Sequence, residues 1–331
     1  MTQMGGVRSA ASILEDAGAT CAGRLPARLT PYPTGFDPLD AVLGGGVRTE
    51  DLLLVGGRPG VGKTIAMLQW ARRVAMSGHD AVYACYEHGE DTLLTRLLCL
   101  ELGELARPED VPALDKLRML AREVALGARG IGDLLEASPL GAAAYDVFRG
   151  YADRLRLLRA TGATDAAELG AIASEHAPAG GVLFVDYLQK IPALGPPMPE
   201  AERVTQVAGA LKELALACDV AVVACVAADR DGLVARRLRI HHLRGSTALA
   251  HEADVVVTLN EKWSAVSKTH LAYDATRART YRQWAVASIE KNRDGPAGID
   301  VEFRKDFANY RFDPMGRFVA EQLVDDVLFE E

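Results

Sequence analysis

The chain has 331 residues, 49% hydrophobic and 25% charged, the composition of an enzyme-sized globular protein with one large core and room for a helical subdomain. A formal net charge of −8 excludes a global basic field that would recruit nucleic acid, so any such contact must come from a local patch. No amino-terminal apolar stretch reads as a signal peptide, no run approaches the ~18 residues of a membrane span, and the five cysteines show no C-x-x-C pairing; together these predict a cytoplasmic, reducing setting with no membrane and no zinc.

In chain order, residues 1–32 read as an arm. Positions 10–16 suit one short helix whose apolar Ile13 and Leu14 lack a partner within the arm, and Pro26, Pro31 and Pro33 break regular structure before the core at 33–331. Apolar runs at 51–56, 81–86, 181–185, 220–226, 253–259 and 284–289 predict strands, and the segments between the early ones carry helical periodicity. Val204, Val207, Leu211, Leu214 and Ala215, for example, fall on one helix face. Such alternation predicts an α/β fold with a mostly parallel central sheet covered by helices and a ligand at the carboxyl edge of its strands. Between the second and third strands, 104–178 is rich in Ala, Leu and Arg and reads as a helical excursion without catalytic signature.

Directly after the first run, Gly57-Arg58-Pro59-Gly60-Val61-Gly62-Lys63-Thr64 is a complete G-x-x-x-x-G-K-[ST] loop followed by helix-compatible sequence. In this P-loop pattern the glycines let backbone N–H groups curl around phosphates and the next helix points its positive end at them. Lys63 then reaches the β/γ oxygens of ATP and Thr64 ligates Mg²⁺. The second strand ends at Glu87, placed to polarise a water for attack on the γ-phosphate, although an acid starting the next helix gives the same pattern. Four apolar residues, 182–185, precede Asp186, the pattern in which a carboxylate holds Mg²⁺ through water. After a late strand, Lys291 and Arg293 sit two residues apart and point one way, which suits charge delivered to a phosphate chain and equally a solvated strand end.

Several segments, in this order, resemble the ATPase domain of DnaB-type replicative helicases. They are Thr34-Gly35-Phe36-Asp37-Pro38-Leu39-Asp40, Gly57-Arg58-Pro59, Asp186-Tyr187-Leu188-Gln189, Leu243-Arg244-Gly245-Ser246 with Glu252-Ala253-Asp254, and Lys291-Asn292-Arg293-Asp294-Gly295-Pro296. The similarity covers 33–314, and the Arg-Pro and Asp-Tyr-Leu-Gln steps favour this branch over the RadA and KaiC branches of the RecA-like superfamily. The resemblance implies a RecA-like P-loop ATPase in which Lys63 and Thr64 bind phosphate and Mg²⁺, Glu87 activates water and Asp186 supports the metal. It also implies that Lys291 and Arg293 reach a neighbouring subunit's γ-phosphate, Arg293 as the arginine finger, within a homo-oligomer for which a hexameric ring is preferred. Single-stranded DNA would then be the partner, met by loops at about 190–199 and 231–242.

The second of these loops holds Arg236, Arg237 and Arg239 with His241 and His242, flanked by Arg230 and Arg244, a local positive footprint suited to phosphate contacts. A solvated loop or a contact to an acidic neighbour accounts for the same charge. Two departures from the family pattern stand out. Residues 1–32 occupy the place of a separate amino-terminal helical domain, so collar assembly and primase recruitment through that domain are not expected. Where the family carries a glutamine that senses the γ-phosphate, the chain reads Val226-Ala227-Ala228-Asp229-Arg230, and the alanine methyl cannot hydrogen-bond. The alternative expectation is therefore a RadA- or KaiC-like nucleotide-controlled switch that binds a protein partner and does not unwind DNA.

Overall fold

The computed structural model describes residues 30–324 apart from 179, 194 and 268–278, together with 7, 9–12, 14 and 15 of the arm. In the arm 10–12, 14 and 15 are helical and Leu14 is exposed; Ile13 and 16 lie outside the described residues. Among the described residues ten strands build one sheet: β1 (Leu52–Gly57), β2 (Asp80–Cys85), β3 (Leu155–Arg159), β4 (Gly181–Asp186), β5 (Ala221–Ala227), β6 (Val255–Glu261), β7 (Trp284–Asn292), β8 (Ile299–Asp306), β9 (Arg311–Phe312) and β10 (Arg317–Phe318). The order is β10-β8-β7-β6-β1-β5-β4-β2-β3, with β9 beside β8. The six strands from β3 to β6 pair in parallel, and β7 to β10 extend the sheet antiparallel.

The central strands are covered on both faces, which is why they read as unbroken apolar runs. Alternation sorts their side chains: Leu53 and Val55 of β1 pack with Met67 and Trp70 of the helix Lys63–Met76. Leu52 and Leu54 pack on the other face with Val204 and Leu211 of the helix Glu200–Cys218. The face predicted for that second helix, with Val207, Leu214 and Ala215, is the buried one.

The stretch 104–178 is helical only in part. Helices Val111–Ala125, Ile131–Ala137 and Pro139–Tyr151 close over Leu98 and Leu102 around Leu117 and Leu134 as a separate small core. The helical excursion read over 104–178 is corrected at 155–159, where β3 forms the sheet's edge strand before the helix Ala166–His176 returns to β4. As an edge strand β3 leaves Arg156 and Arg159 exposed, so its sequence lacks the apolar run that marks the inner strands. A buried cluster fastens the helices to the sheet layer. Arg72 of the Lys63–Met76 helix grips Glu101 through two hydrogen bonds of 2.5 Å, and the Tyr151 hydroxyl donates to the same carboxylate at 2.6 Å. Glu101 has no exposed surface, and burial beside it pushes the Tyr151 phenol well above its ordinary range.

Candidate active site

At the carboxyl edge of the parallel strands lies a cleft of about 470 Å³, lined by Gly57, Gly60, Gly62, Lys63 and Thr64 of the P-loop and by Glu87, Asp186 and Ala227 from neighbouring strand ends. The loop's curvature depends on glycine at two points. Gly62 has φ +104°, and a Cβ there would meet the rings of Phe307 and Phe312 at 2.7 Å; at Gly57 it would strike Val61 at 2.7 Å and Lys63 at 3.0 Å. Phe307 and Phe312 meet edge to face beneath the loop, and the Gln69 side-chain amide pairs with both the N–H and the C=O of Phe312 at 2.9 Å. The Lys63 ammonium donates to the carbonyls of Gly57 at 2.8 Å and Arg58 at 3.1 Å.

Sheet register brings the two acids to the same edge. Cys85 pairs with Asp186 across β2 and β4, and the Tyr86 N–H donates to the Asp186 carbonyl at 2.7 Å, so Glu87 follows directly at the cleft mouth, where it is exposed. Asp186 is 2% exposed and accepts from the Tyr83 hydroxyl at 3.0 Å, which also lies 3.5 Å from the Thr64 carbonyl. Tyr83 thus ties the helix carrying Thr64 to the strand carrying Asp186, and its phenol is held well above the ordinary range by burial and the nearby carboxylate. The Thr64 hydroxyl and Asp186 carboxylate are hard oxygen donors of the kind Mg²⁺ takes beside phosphates and water.

Three further cleft residues, His88, Arg96 and Tyr310, carried no motif signal. An Arg96 N–H lies 3.0 Å from His88 Nε2, the guanidinium sits 5.7 Å from the centre of the Tyr310 ring, and burial together with Arg96 holds the His88 pKa below its usual value. Arg96 and Tyr310 come from elements 214 residues apart in sequence (310 − 96), so only the fold brings them together.

Lys291 and Arg293 are not in this cleft. They sit beside the opening of β1, a strand of six residues, or about 20 Å, from the P-loop at its other end. Lys291 donates to the carbonyls of Ala250 at 2.8 Å and Ala253 at 2.5 Å, at the end of the helix Ser246–Glu252. Arg293 pairs at 3.0 Å with Asp254, a buried carboxylate that also receives Lys212 at 2.7 Å and the Leu52 N–H at 2.8 Å.

The basic loop requires a correction. Arg237 is 7% exposed and bonds Asp300 at 2.6 Å and Ser288 at 3.1 Å; Arg239 pairs at 2.8 Å with Glu290, itself nearly buried. Arg236 donates to the Val266 carbonyl at 2.8 Å. Charge that looks free in the sequence is taken up by carboxylates of β7 and β8, leaving Arg230 exposed and Arg244 at the rim of the cleft, 3.1 Å from Glu200. We therefore expect Arg237→Ala to cost on the order of 2 kcal/mol of stability in a denaturant titration, by stripping charged hydrogen bonds, whereas Arg230→Ala leaves stability unchanged.

A family model described as DnaB-like helicase C terminal domain matches residues 32–107 and 157–312. The unmatched interval, 108–156, is the part that holds the three insert helices. Replicative DNA helicase DnaB of Treponema pallidum is 26% identical over 288 residues, 85% of this chain and 56% of that protein. Replicative DNA helicase DnaC of Bacillus subtilis is 26% identical over 298 residues, 87% of this chain and 59% of that protein. DNA repair protein RadA of Mycobacterium tuberculosis is 38% identical over 97 residues, 29% of this chain and 20% of that protein. Among solved structures, a DnaB-like replicative helicase, described together with its interactions with primase, superposes with a TM-score of 0.68 at 18% identity, covering 93% of this chain and 68% of that one. The chain thus spans little more than half the length of the replicative helicases it matches in sequence.

Proposed function

The chain belongs to the DnaB-like helicase C-terminal domain family, and on that basis we propose that it binds and hydrolyses ATP as a homo-oligomer, in ring form, acting on single-stranded DNA. The observation that carries this reading is the split of the expected catalytic set: Lys63, Thr64, Glu87 and Asp186 share one cleft, while Arg293 lies at the far end of β1 and Lys291 is turned onto the carbonyls of Ala250 and Ala253. A cleft with the phosphate cradle but without Arg293 of its own is completed by a second copy presenting its Lys291 and Arg293 edge.

Within that site the backbone N–H groups of 60–64 and the Lys63 ammonium receive the phosphates. The Thr64 hydroxyl and, through water, the Asp186 carboxylate would hold Mg²⁺, which would supply neutralising charge to the phosphates. Glu87 accepts the proton of the attacking water as the γ-phosphoryl group leaves ADP. Presenting Arg293 to a neighbour requires it to exchange Asp254 for phosphate; its side chain is 54% exposed, and the buried Asp254 carboxylate keeps Lys212 and the Leu52 N–H as partners when Arg293 leaves.

Mixing Lys63→Ala with Arg293→Ala protein tests the shared site. Each variant alone should be inactive, and the mixture should regain a fraction of wild-type turnover, because some interfaces then pair an intact P-loop with an intact finger. Co-assembled mixtures that stay inactive would contradict a site built from two copies.

The internal pairing of Arg237 and Arg239 favours one second reading, a nucleotide-controlled switch whose partner is a protein. Affinity for single-stranded DNA at low salt separates the two: the DNA reading expects binding that weakens with added salt and on Arg230→Ala, and the switch reading expects none.

A further inference from the structure

Residue 227, the expected γ-phosphate sensor, is alanine, yet the loop that follows it is not detached from the nucleotide site. Its two ends are pinned at the cleft: Arg244 N–H donates to the Ala227 carbonyl at 3.0 Å, and the Ala227 N–H donates to the Gln189 side chain at 3.2 Å. These contacts fix the base of the loop, Arg236 is tied to Val266, and 237–239 are tied to β6, β7 and β8, which leaves the short helix Arg230–Val234 as the part that faces the P-loop. The P-loop reaches the loop at this helix. Arg58 Nε donates to the Gly232 carbonyl at 2.8 Å, in the short helix Arg230–Val234 whose Leu233 lines the cleft.

Gly232 is shaped for this contact. It is buried, its N–H donates to Asp229 at 2.7 Å, and a Cβ there would meet the His242 carbonyl and Leu238 at 2.7 Å, so only glycine lets the turn lie flat against the returning chain. At the other end, Arg58 shares its own carbonyl with Lys63 at 3.1 Å. A phosphate that takes the Lys63 ammonium draws it off that carbonyl, changing the hydrogen bonding of the residue whose guanidinium holds the loop.

We propose that Arg58 is a positioning residue that transmits nucleotide occupancy from Lys63 to the 229–243 loop through Gly232, in place of the side chain missing at 227. The inference rests on the ATP-binding reading and adds the route by which the loop senses it. A ligand that shifts the loop must interact differently with its two arrangements, and the Lys63–Arg58–Gly232 chain supplies that difference.

Amide hydrogen exchange of the full chain, with and without a saturating non-hydrolysable ATP analogue, tests the proposal, with fluorescent-nucleotide titration of each variant to fix occupancy. In wild type the analogue should change protection across 229–243. Arg58→Ala, raised to saturation, should lose that change while the P-loop segment still becomes protected; Arg58→Lys, which keeps a donor, should recover part of it. Gly232→Ala keeps the acceptor carbonyl but, through the clash of its Cβ with the His242 carbonyl and Leu238, displaces it from Arg58 without altering the P-loop sequence, and should lose the loop response too, which keeps the test open if Arg58→Ala binds nucleotide too weakly. A wild-type-sized loop response in saturated Arg58→Ala or in Gly232→Ala would overturn the proposal. A wild-type chain that binds no nucleotide would instead overturn the ATP-binding reading on which it stands.

Discussion

Lys63→Ala should abolish ATP hydrolysis and sharply weaken ATP binding, whereas Glu87→Gln should keep binding and lower turnover by about 10²–10⁴-fold. The two effects differ because the side chains meet different stages of the reaction. In the proposed reaction Lys63 would bring a point charge to phosphates that are present before and during transfer, so its loss should be felt in the ground state as well as in the transition state. In that reaction Glu87 would touch only the attacking water; its exposed carboxylate sits at the cleft mouth, beyond the register pair of Cys85 and Asp186. Glutamine preserves the shape and removes the proton acceptor. Single-turnover kinetics with bound ATP would check this directly, and wild-type turnover in Glu87→Gln would reduce that acid to a helix-starting residue.

The largest stability effect is expected at Glu101. Replacing it with Ala leaves the Arg72 guanidinium buried and unpaired and takes the acceptor from Tyr151, a loss of about 3–5 kcal/mol. Because Arg72 lies on the P-loop helix and Tyr151 ends the last insert helix, the damage should fall on the docking of the insert. Replacing both members of the pair, Arg72→Met with Glu101→Leu, should restore most of the stability, since no charge is then stranded. Denaturant midpoints of the single and double variants would show this. A double variant as unstable as Glu101→Ala would mean that packing, and not the stranded charge, sets the cost.

Much of the cleft was readable from the sequence because its parts are contiguous. The P-loop octet announces itself by spacing, and Asp186 follows a strand whose burial on both faces forces an apolar run. The alternation of strands and helices likewise implied the parallel sheet. What escaped is what depends on tertiary placement. Tyr83 is one more aromatic in a buried strand until β2 and β4 pair and its hydroxyl meets Asp186. Arg96 and Tyr310 become neighbours only through the fold. The basic loop misled for the same reason in reverse: nothing near Arg237 and Arg239 in sequence reveals that Asp300 and Glu290 wait across the sheet edge. The edge strand β3 stayed hidden inside the excursion because exposure at the sheet's edge admits arginines, Arg156 on one face and Arg159 on the other, that an inner strand would exclude.

In the proposed assembly the nucleotide site is completed by a second copy of the chain. The most direct measurement of this is the specific ATPase rate with Mg²⁺ across a dilution series, with the assembled fraction determined by mass in the same samples. The rate per chain should rise and fall with the assembled fraction and vanish for the monomer, because no protomer places its own Arg293 at its own P-loop. A monomer that hydrolyses ATP at the full rate would contradict the account.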